Sequence, residues 1–311
     1  MTRGSHPVRC ALAIHGGAGT ITRRAMSARR ERRYREGLMA SLRAGDRILE
    51  DGGSSLDAVV AAVAVLEDCP LFNAGRGAVL NAAGEHELDA GVMDGATQRA
   101  GAVAAVQRIR NPVAAARVVM EKTSHVLLAG RAAERFAQTT GLALAPPDYF
   151  RTPDRMQALE RVRRETTRAR RGASAAELHG TVGAVALDCQ GHLAAATSTG
   201  GYTNKMAGRI GDSPLVGAGL YADRTCAVSA TGLGEAFIRG VVCYDVAARM
   251  RYRGETLRRA ARRALDRIVA LGADGGLIAI DRAGCIAMPF VSEGMYRGTA
   301  RRGRYTIAIY R

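Results

Sequence analysis

The chain has 311 residues, of which 47% are apolar, and it carries a formal net charge of +16 with a pI near 10.4. This length fits one large domain or two ordinary ones, and the apolar content is ample for a buried core. No apolar run reaches the roughly eighteen residues of a transmembrane helix. The first nine residues lack the apolar segment that would predict a secretory signal peptide.

The positions of the cysteines, histidines and arginines narrow the possible classes of protein further. Six cysteines are scattered without C-x-x-C spacing, which predicts free thiols in a reducing compartment and hence a cytoplasmic protein. The six histidines show no metal-ligand spacing, so no catalytic metal or cofactor is expected. The positive charge is almost all arginine spread along the chain, without a recognition module that interleaves aromatic residues. We therefore expect neither a specific nucleic-acid partner nor a membrane partner.

Hydrophobic spacing and turn residues predict alternating strands and helices in the first half of the chain. A capping box at Ser54 and Asp57 opens one very apolar helix that is expected to be buried. In chain order, the predicted elements are a strand at Val8–Ile14, helices at Tyr34–Leu49 and Ser54–Leu66, strands at Glu87–Met93 and Ala100–Val106, and a helix at Asn111–Met120.

The second half begins after an arginine-rich stretch, 151–179, which predicts a solvated helix followed by a flexible basic linker. A hairpin that turns at Gln190-Gly191 comes next. The predicted elements are the hairpin strands Thr181–Leu187 and Leu193–Thr197, a strand at Thr225–Ala230, helices at Glu235–Met250 and Glu255–Leu271, and strands at Leu277–Ile280, Cys285–Val291 and Tyr305–Tyr310. Taken alone, this order predicts a mixed α/β protein.

The junction Gly180-Thr181 is the most informative feature of the sequence. A predicted strand begins directly at a threonine, and the segment before this threonine is one that could easily be cleaved. If the Gly180–Thr181 bond were cut, Thr181 would carry both a nucleophilic hydroxyl and an α-amine that can act as its base, so no catalytic triad would be needed. A buried strand that merely begins with threonine is the alternative reading of this segment.

Several further motifs occur in a fixed order around this junction. Together they resemble the plant-type asparaginase and isoaspartyl peptidase family of threonine N-terminal-nucleophile hydrolases over roughly residues 8 to 310. The motifs are His15-Gly16-Gly17-Ala18-Gly19, Asn73-Ala74-Gly75-Arg76-Gly77, Glu87-Leu88-Asp89-Ala90-Gly91, Thr197-Ser198-Thr199-Gly200-Gly201, Gly208-Arg209-Ile210-Gly211-Asp212 and Ser229-Ala230-Thr231-Gly232-Leu233-Gly234-Glu235.

The resemblance implies an α+β fold, a four-layer αββα sandwich of two facing sheets. A precursor would be cut into an α subunit, 1–180, and a β subunit, 181–311, which together form one domain. The implied activity is hydrolysis of β-aspartyl dipeptides and L-asparagine, with L-aspartate released through an acyl-enzyme on Thr181. A dimer of αβ units is the implied assembly.

The resemblance also implies roles for single residues. Thr199 would hydrogen-bond the nucleophile, and Thr231 with the Gly232 N–H would form an oxyanion hole. A guanidinium can hold an α-carboxylate and a nearby carboxylate can hold an α-ammonium, so Arg209 and Asp212 would bind the substrate's amino-acid head group.

Other residues are expected to support this site. Gly234 and Gly232 would offer backbone groups to the ammonium, and Gly17 would let a loop approach Thr181 closely. Asn73 is expected to be structural. By resemblance alone, the loop that contains Leu66, Glu67, Cys69 and Phe72 would hold a structural sodium ion through its backbone carbonyls.

Alternatives remain open at this point. A glycosylasparaginase would share the fold, although those enzymes usually have aspartate where Gly180 stands. An inactive binding or scaffold protein would keep the fold without the chemistry. Leu233 stands where many relatives carry a polar residue, which leaves the ranking of substrates open.

Overall fold

The computed structural model describes residues 10–169 and 180–311. The part of the predicted basic linker that covers 170–179 and the first residues of the predicted strand at Val8–Ile14 lie outside these ranges. The helices in the described part are α1 (Ala28–Glu50), α2 (Ser55–Asp68), α3 (Pro112–Lys122), α4 (Gly130–Thr139), α5 (Pro147–Phe150), α6 (Pro153–Ala169), α7 (Gly234–Gly240), α8 (Val242–Arg253) and α9 (Leu257–Ala270).

The described strands form two sheets that are almost entirely antiparallel, and among these strands only β3 and β4 pair in parallel. The large sheet has the order β12-β11-β1-β5-β6-β2-β3-β4 and the small sheet the order β10-β9-β8-β7. The strand bounds are β1 (Ala11–Gly19), β2 (Leu88–Asp94), β3 (Ala100–Val106), β4 (Leu127–Ala129), β5 (Val182–Leu187), β6 (Leu193–Thr199), β7 (Leu220–Ala222), β8 (Cys226–Gly232), β9 (Gly275–Asp281), β10 (Ile286–Ala287), β11 (Gly294–Arg301) and β12 (Arg304–Tyr310).

The central strands of the large sheet are buried on both faces, which explains their continuous apolar sequences. In β1, Leu12 and Ile14 join a core cluster with helices α1, α2 and α3. Ala11 and Ala13 point to the opposite face and join a second cluster with the small sheet and helices α7, α8 and α9. Strands β1, β5 and β6 therefore lie between two cores, and small side chains let the two sheets approach closely.

The predicted elements of the first half are largely confirmed. The Ser54 hydroxyl accepts from the Asp57 N–H at 3.1 Å and begins α2. Helix α2 is only partly buried, because one of its sides packs under α1 and over β5 and β6 while the other is half-exposed. The predicted pairing of β2 with β3 and of β5 with β6 is found.

Some boundaries were wrong. The single helix predicted at Glu235–Met250 is two helices, because Val241 adopts a left-handed conformation with φ of 48°. The strand predicted at Cys285–Val291 is only two residues long, at Ile286–Ala287. Strands β4, β7 and β11 and helices α4 and α5 were not predicted. Among the described helices, none combines the length and the apolar character needed to cross a membrane.

Candidate active site

Thr181 lies directly before β5, at the end of the large sheet, and its side chain is buried. Its hydroxyl donates to Thr199 Oγ1 at 3.2 Å, and its backbone N–H donates to Thr231 Oγ1 at 3.3 Å. Thr199 ends β6, the neighbour of β5, whereas Thr231 comes from β8 of the small sheet. The three threonines predicted to carry the chemistry therefore meet where the two sheets face each other.

His15 holds the backbone of Thr181 from the neighbouring strand β1. Its Nδ1 lies 2.8 Å from the Thr181 carbonyl oxygen and its Nε2 lies 2.8 Å from Ser229 Oγ. A carbonyl only accepts, so Nδ1 carries the proton and Nε2 accepts from the serine. Complete burial lowers the pKa of His15 to about 3, which keeps the imidazole neutral. The sequence placed His15 in a motif but gave it no role, because the role depends on contacts between strands.

The Gly180 carbonyl receives two hydrogen-bond donors. Asn73 Nδ2 donates to this oxygen at 2.6 Å, and Thr199 Oγ1 donates to it at 3.2 Å. The Asn73 side chain is fixed in turn, because its Oδ1 accepts from the Val79 N–H at 2.9 Å. Asn73, expected to be merely structural, thus contacts the peptide bond that is the candidate cleavage site.

Gly17 lies against the same peptide bond. Its φ is +110°, and a Cβ at this position would stand 2.9 Å from Gly180 Cα and 3.4 Å from Thr181 N. Any side chain would be strained and would press on the candidate cleavage site. The prediction that a glycine lets this loop approach Thr181 agrees with this geometry.

The residues predicted to form an oxyanion hole lie beside Thr181. Thr231 Oγ1 accepts from the N–H groups of Ala18, at 3.2 Å, and Thr181. Both of these bonds use oxygen lone pairs, so the hydroxyl hydrogen of Thr231 can serve a developing oxyanion. Gly232 follows Thr231 directly and lines the cleft at Thr181.

Arg209 and Asp212, the two residues predicted to form a charged clamp, line the same cleft, and Arg209 pairs with Glu235. Arg209 donates through Nε and Nη2 to both carboxylate oxygens of Glu235, at 3.0 and 2.9 Å. Its guanidinium also stacks over the Tyr202 ring, 4.7 Å from the centroid. Glu235 was missed as a site residue, although it directly follows the Gly232-x-Gly234 motif.

Asp212 is buried, and its Oδ2 has no hydrogen-bond partner among the described residues. Burial raises the pKa of this carboxyl to about 7, against the opposing effect of Arg209. Gly234 packs beside both clamp residues, since a Cβ there would stand 2.7 Å from Arg209 Nη2 and 3.0 Å from Asp212 Oδ1. A buried carboxylate oxygen without a partner is suited to accept from an ammonium group.

One cleft joins the nucleophile to the clamp. Its lining comprises Gly180, Thr181, Thr199, Gly201, Tyr202, Arg209, Asp212 and Gly232. Most of the residues predicted for catalysis and for substrate binding therefore face one small space of about 10 Å³ in the uncut chain, whereas Thr231 and Gly234 lie beside it and outside its lining.

The loop expected to hold sodium forms tight turns after α2. The carbonyls of Leu66, Cys69 and Phe72 accept from N–H groups two or three residues later, at 3.3, 3.4 and 3.0 Å. Each carbonyl keeps a second lone pair, and carbonyl oxygens are ligands that hard cations prefer. The Glu67 side chain points elsewhere, because its Oε1 accepts from Ser198 Oγ at 2.6 Å, and burial raises its pKa to about 8. The free lone pairs of these carbonyls are of the kind that would hold a sodium ion.

A buried threonine linked by its hydroxyl and its backbone nitrogen to two further threonines, beside a charged cleft, is the arrangement of a nucleophilic hydrolase. Comparison with known proteins agrees. The family model described as asparaginase matches residues 8–309, and the chain belongs to this family.

Curated relatives cover nearly the whole chain. It is 53% identical to an isoaspartyl peptidase of Escherichia coli, over 96% of each chain. It is 43% identical to an isoaspartyl peptidase/L-asparaginase of Mus musculus, over 99% of this chain and 93% of the relative. The corresponding human protein is 41% identical, over 96% of this chain and 95% of the relative.

Proposed function

We propose that this protein is a self-cleaving amidohydrolase that releases L-aspartate from β-aspartyl dipeptides and from L-asparagine. The observation that carries the proposal is the single cleft in which Thr181 lies beside the Arg209–Asp212 clamp. The names of the relatives support this substrate class. The fold that goes with this activity is the four-layer αββα sandwich, and the contacts of both sheets with each other and with separate helix sets support it.

Self-cleavage would begin with attack of Thr181 Oγ1 on the Gly180 carbonyl carbon. A chain of hydroxyls runs from Thr181 to Thr199 and on to the Gly180 oxygen. The nucleophile's proton can pass along it while Asn73 stabilises the developing oxyanion. As the C–N bond breaks, the proton taken up by the hydroxyl chain moves to the Thr181 nitrogen, which leaves a Gly180 ester on Thr181. Water then hydrolyses the ester and frees both the Gly180 carboxylate and the Thr181 amine.

The matured site would use the freed amine as its base. The amine takes the proton from Thr181 Oγ1, which attacks the side-chain acyl carbon of the substrate. Thr231 and the Gly232 N–H receive the oxyanion, and the amine returns its proton to the departing nitrogen. Water then attacks the aspartyl ester on Thr181 in the same way, through an oxyanion and its breakdown, and releases L-aspartate. Arg209 and Asp212 hold the α-carboxylate and the α-ammonium throughout, with Gly234 allowing close approach.

The two subunits produced by cleavage would remain one domain. In the large sheet, β1 of the first subunit lies between β11 and β5 of the second. The hydrogen bonds of these strands hold the two pieces together without the Gly180–Thr181 bond. Assembly into a dimer of such αβ units and a cytoplasmic location remain predictions.

A denaturing gel tests maturation. Purified protein should give two bands that correspond to 180 and 131 residues, whereas Thr181→Ala should remain a single inactive chain. Asn73→Asp keeps the acceptor for the Val79 N–H but loses the donor to Gly180. It should slow cleavage by about a hundredfold or more. Cleavage of Asn73→Asp at the wild-type rate would refute the role of this donor.

Assays with L-asparagine and a β-aspartyl dipeptide test the activity itself. Release of L-aspartate from either substrate by the matured protein supports the proposal. A glycosylasparaginase would instead favour a sugar-bearing asparagine, and an inactive scaffold would hydrolyse none of these compounds. For the sodium loop, exchange of sodium chloride for choline chloride should lower thermal stability reversibly.

A further inference from the structure

A second cavity adjoins the candidate active site on the other side of Gly180. It has a volume of about 380 Å³, within the range of small-molecule sites. Its lining and that of the cleft at Thr181 have one residue in common, Gly180. We infer that this cavity is the subsite for the departing amino acid of a β-aspartyl dipeptide, with the free carboxylate of that amino acid bound by arginine. The inference rests on the proposed self-cleavage and hydrolysis.

Self-cleavage would join the two spaces. In the uncut chain Gly180 is bonded to Thr181 N and separates the cleft from the cavity. Once the bond is broken, Gly180 becomes a chain terminus and is free to leave this position. The clamp and the cavity would then form one continuous site in two parts, with the freed amine of Thr181 between them.

The direction of the reaction places the departing half in the cavity. The departing nitrogen must receive its proton from Thr181 N, the atom that is bonded to Gly180 in the uncut chain. With the aspartyl head group held by Arg209 and Asp212, the departing nitrogen points to the place that Gly180 occupied. The atoms beyond that nitrogen extend into the cavity. Asparagine, whose departing group is ammonia, would leave the cavity empty.

The walls of the cavity match an amino acid with an apolar side chain. Tyr34, Phe72 and Tyr296 form an aromatic cluster there, with Tyr34 stacked on Tyr296 at 4.3 Å between centroids. Phe72 packs edge-on against these two rings at 5.4 and 6.1 Å. The rings are largely buried against one another, with 6% of Tyr34, 1% of Phe72 and 8% of Tyr296 exposed, so they offer their edges to an apolar side chain.

The charges of the cavity match a free carboxylate. Three guanidinium groups line it, those of Arg30, Arg155 and Arg161, against one carboxylate, that of Asp154. Arg155 is tied to the carbonyls of Gly77 and Leu71 at 2.7 and 3.3 Å and fixes the wall. Arg30 and Arg161 are exposed side chains on α1 and α6, able to turn toward an anion.

The test compares three substrates that share one head group: β-aspartyl-leucine, β-aspartyl-leucinamide and L-asparagine. The dipeptide should have a kcat/KM about tenfold above that of its amide, because only the dipeptide offers the carboxylate. Arg161→Gln should raise the KM for the dipeptide about twofold to fivefold and leave the amide and asparagine unchanged. If Arg30 compensates, the double variant Arg30→Gln/Arg161→Gln should show this effect in full.

Arg164→Gln is the matched control, because Arg164 lies on the same helix and does not line the cavity. It should leave all three substrates unaffected. Equal kcat/KM for dipeptide and amide in the wild type would overturn the inference while leaving the proposed function intact, and so would an unchanged dipeptide KM in the double variant. Failure of the wild type to hydrolyse any of the three would overturn both.

Discussion

Replacement of Asp212 by asparagine should stabilise the uncut chain at high pH. Burial raises the pKa of this carboxyl from 3.8 to about 7. Protonation of Asp212 therefore stabilises the fold. This stabilisation is complete below about pH 4 and is lost as the pH rises toward 7. Above pH 7 the fold holds a buried carboxylate whose Oδ2 has no partner among the described residues. At 1.36 kcal/mol per pKa unit, the shift corresponds to at most about 4 kcal/mol.

The assay is urea unfolding in a Thr181→Ala background, which keeps the chain in one piece. Asp212→Asn should raise the free energy of unfolding by about 2 to 4 kcal/mol at pH 8, with little change at pH 4. Asp266→Asn, on the exposed side of α9, is the control and should change it little at either pH. A stability difference for Asp212→Asn that does not depend on pH would refute the reasoning. In the matured enzyme the same substitution should weaken substrate binding, because an amide oxygen accepts a hydrogen bond from the ammonium but carries no opposite charge.

Further expected outcomes concern the glycine at the cleavage site, the partner of the clamp and the pH dependence of activity. Gly17→Ala should slow self-cleavage and destabilise the fold more than Gly52→Ala does, because both glycines have positive φ but only Gly17 contacts Gly180. Equal effects of the two substitutions in gel time courses and in urea unfolding would contradict this. Glu235→Gln should raise the KM for asparagine about tenfold with little change in kcat, because Glu235 fixes one edge of the Arg209 guanidinium; an unchanged KM would show that the pair is dispensable. For the wild type, kcat/KM should fall below about pH 7, because the clamp carboxylate and the freed amine both become protonated; a profile flat down to pH 5 would contradict this.

Local sequence signals predicted the elements that frame the candidate site. The alternation around Gln190-Gly191 predicted the hairpin of β5 and β6, and its register places Thr199 beside Thr181. The cap at Ser54 predicted the start of α2. These predictions succeed because turns, helix caps and the alternation of side chains in a strand depend on only a few neighbouring residues.

The failures have a different physical origin. A β-branched residue such as Val241 rarely adopts the left-handed conformation, so no local pattern predicted the break between α7 and α8. Strand β11 contains glycines and arginines and lacks a continuous apolar run, and its pairing with β1 and β12 establishes it as a strand. The roles of His15 and Glu235 depend on contacts between distant segments, which spacing in the sequence does not encode.

The relative rates for asparagine and for β-aspartyl dipeptides should depend on residues outside the clamp. Both substrates present the same α-ammonium and α-carboxylate, so a clamp formed by Arg209 and Asp212 would bind them alike and would not distinguish them. Discrimination requires contacts with atoms that only one substrate has. In the dipeptide these atoms lie beyond the departing nitrogen, on the side where Gly180 faces a cavity lined by arginine and aromatic rings. Substrate preference should therefore vary with the residues of this cavity while the threonine chemistry stays the same.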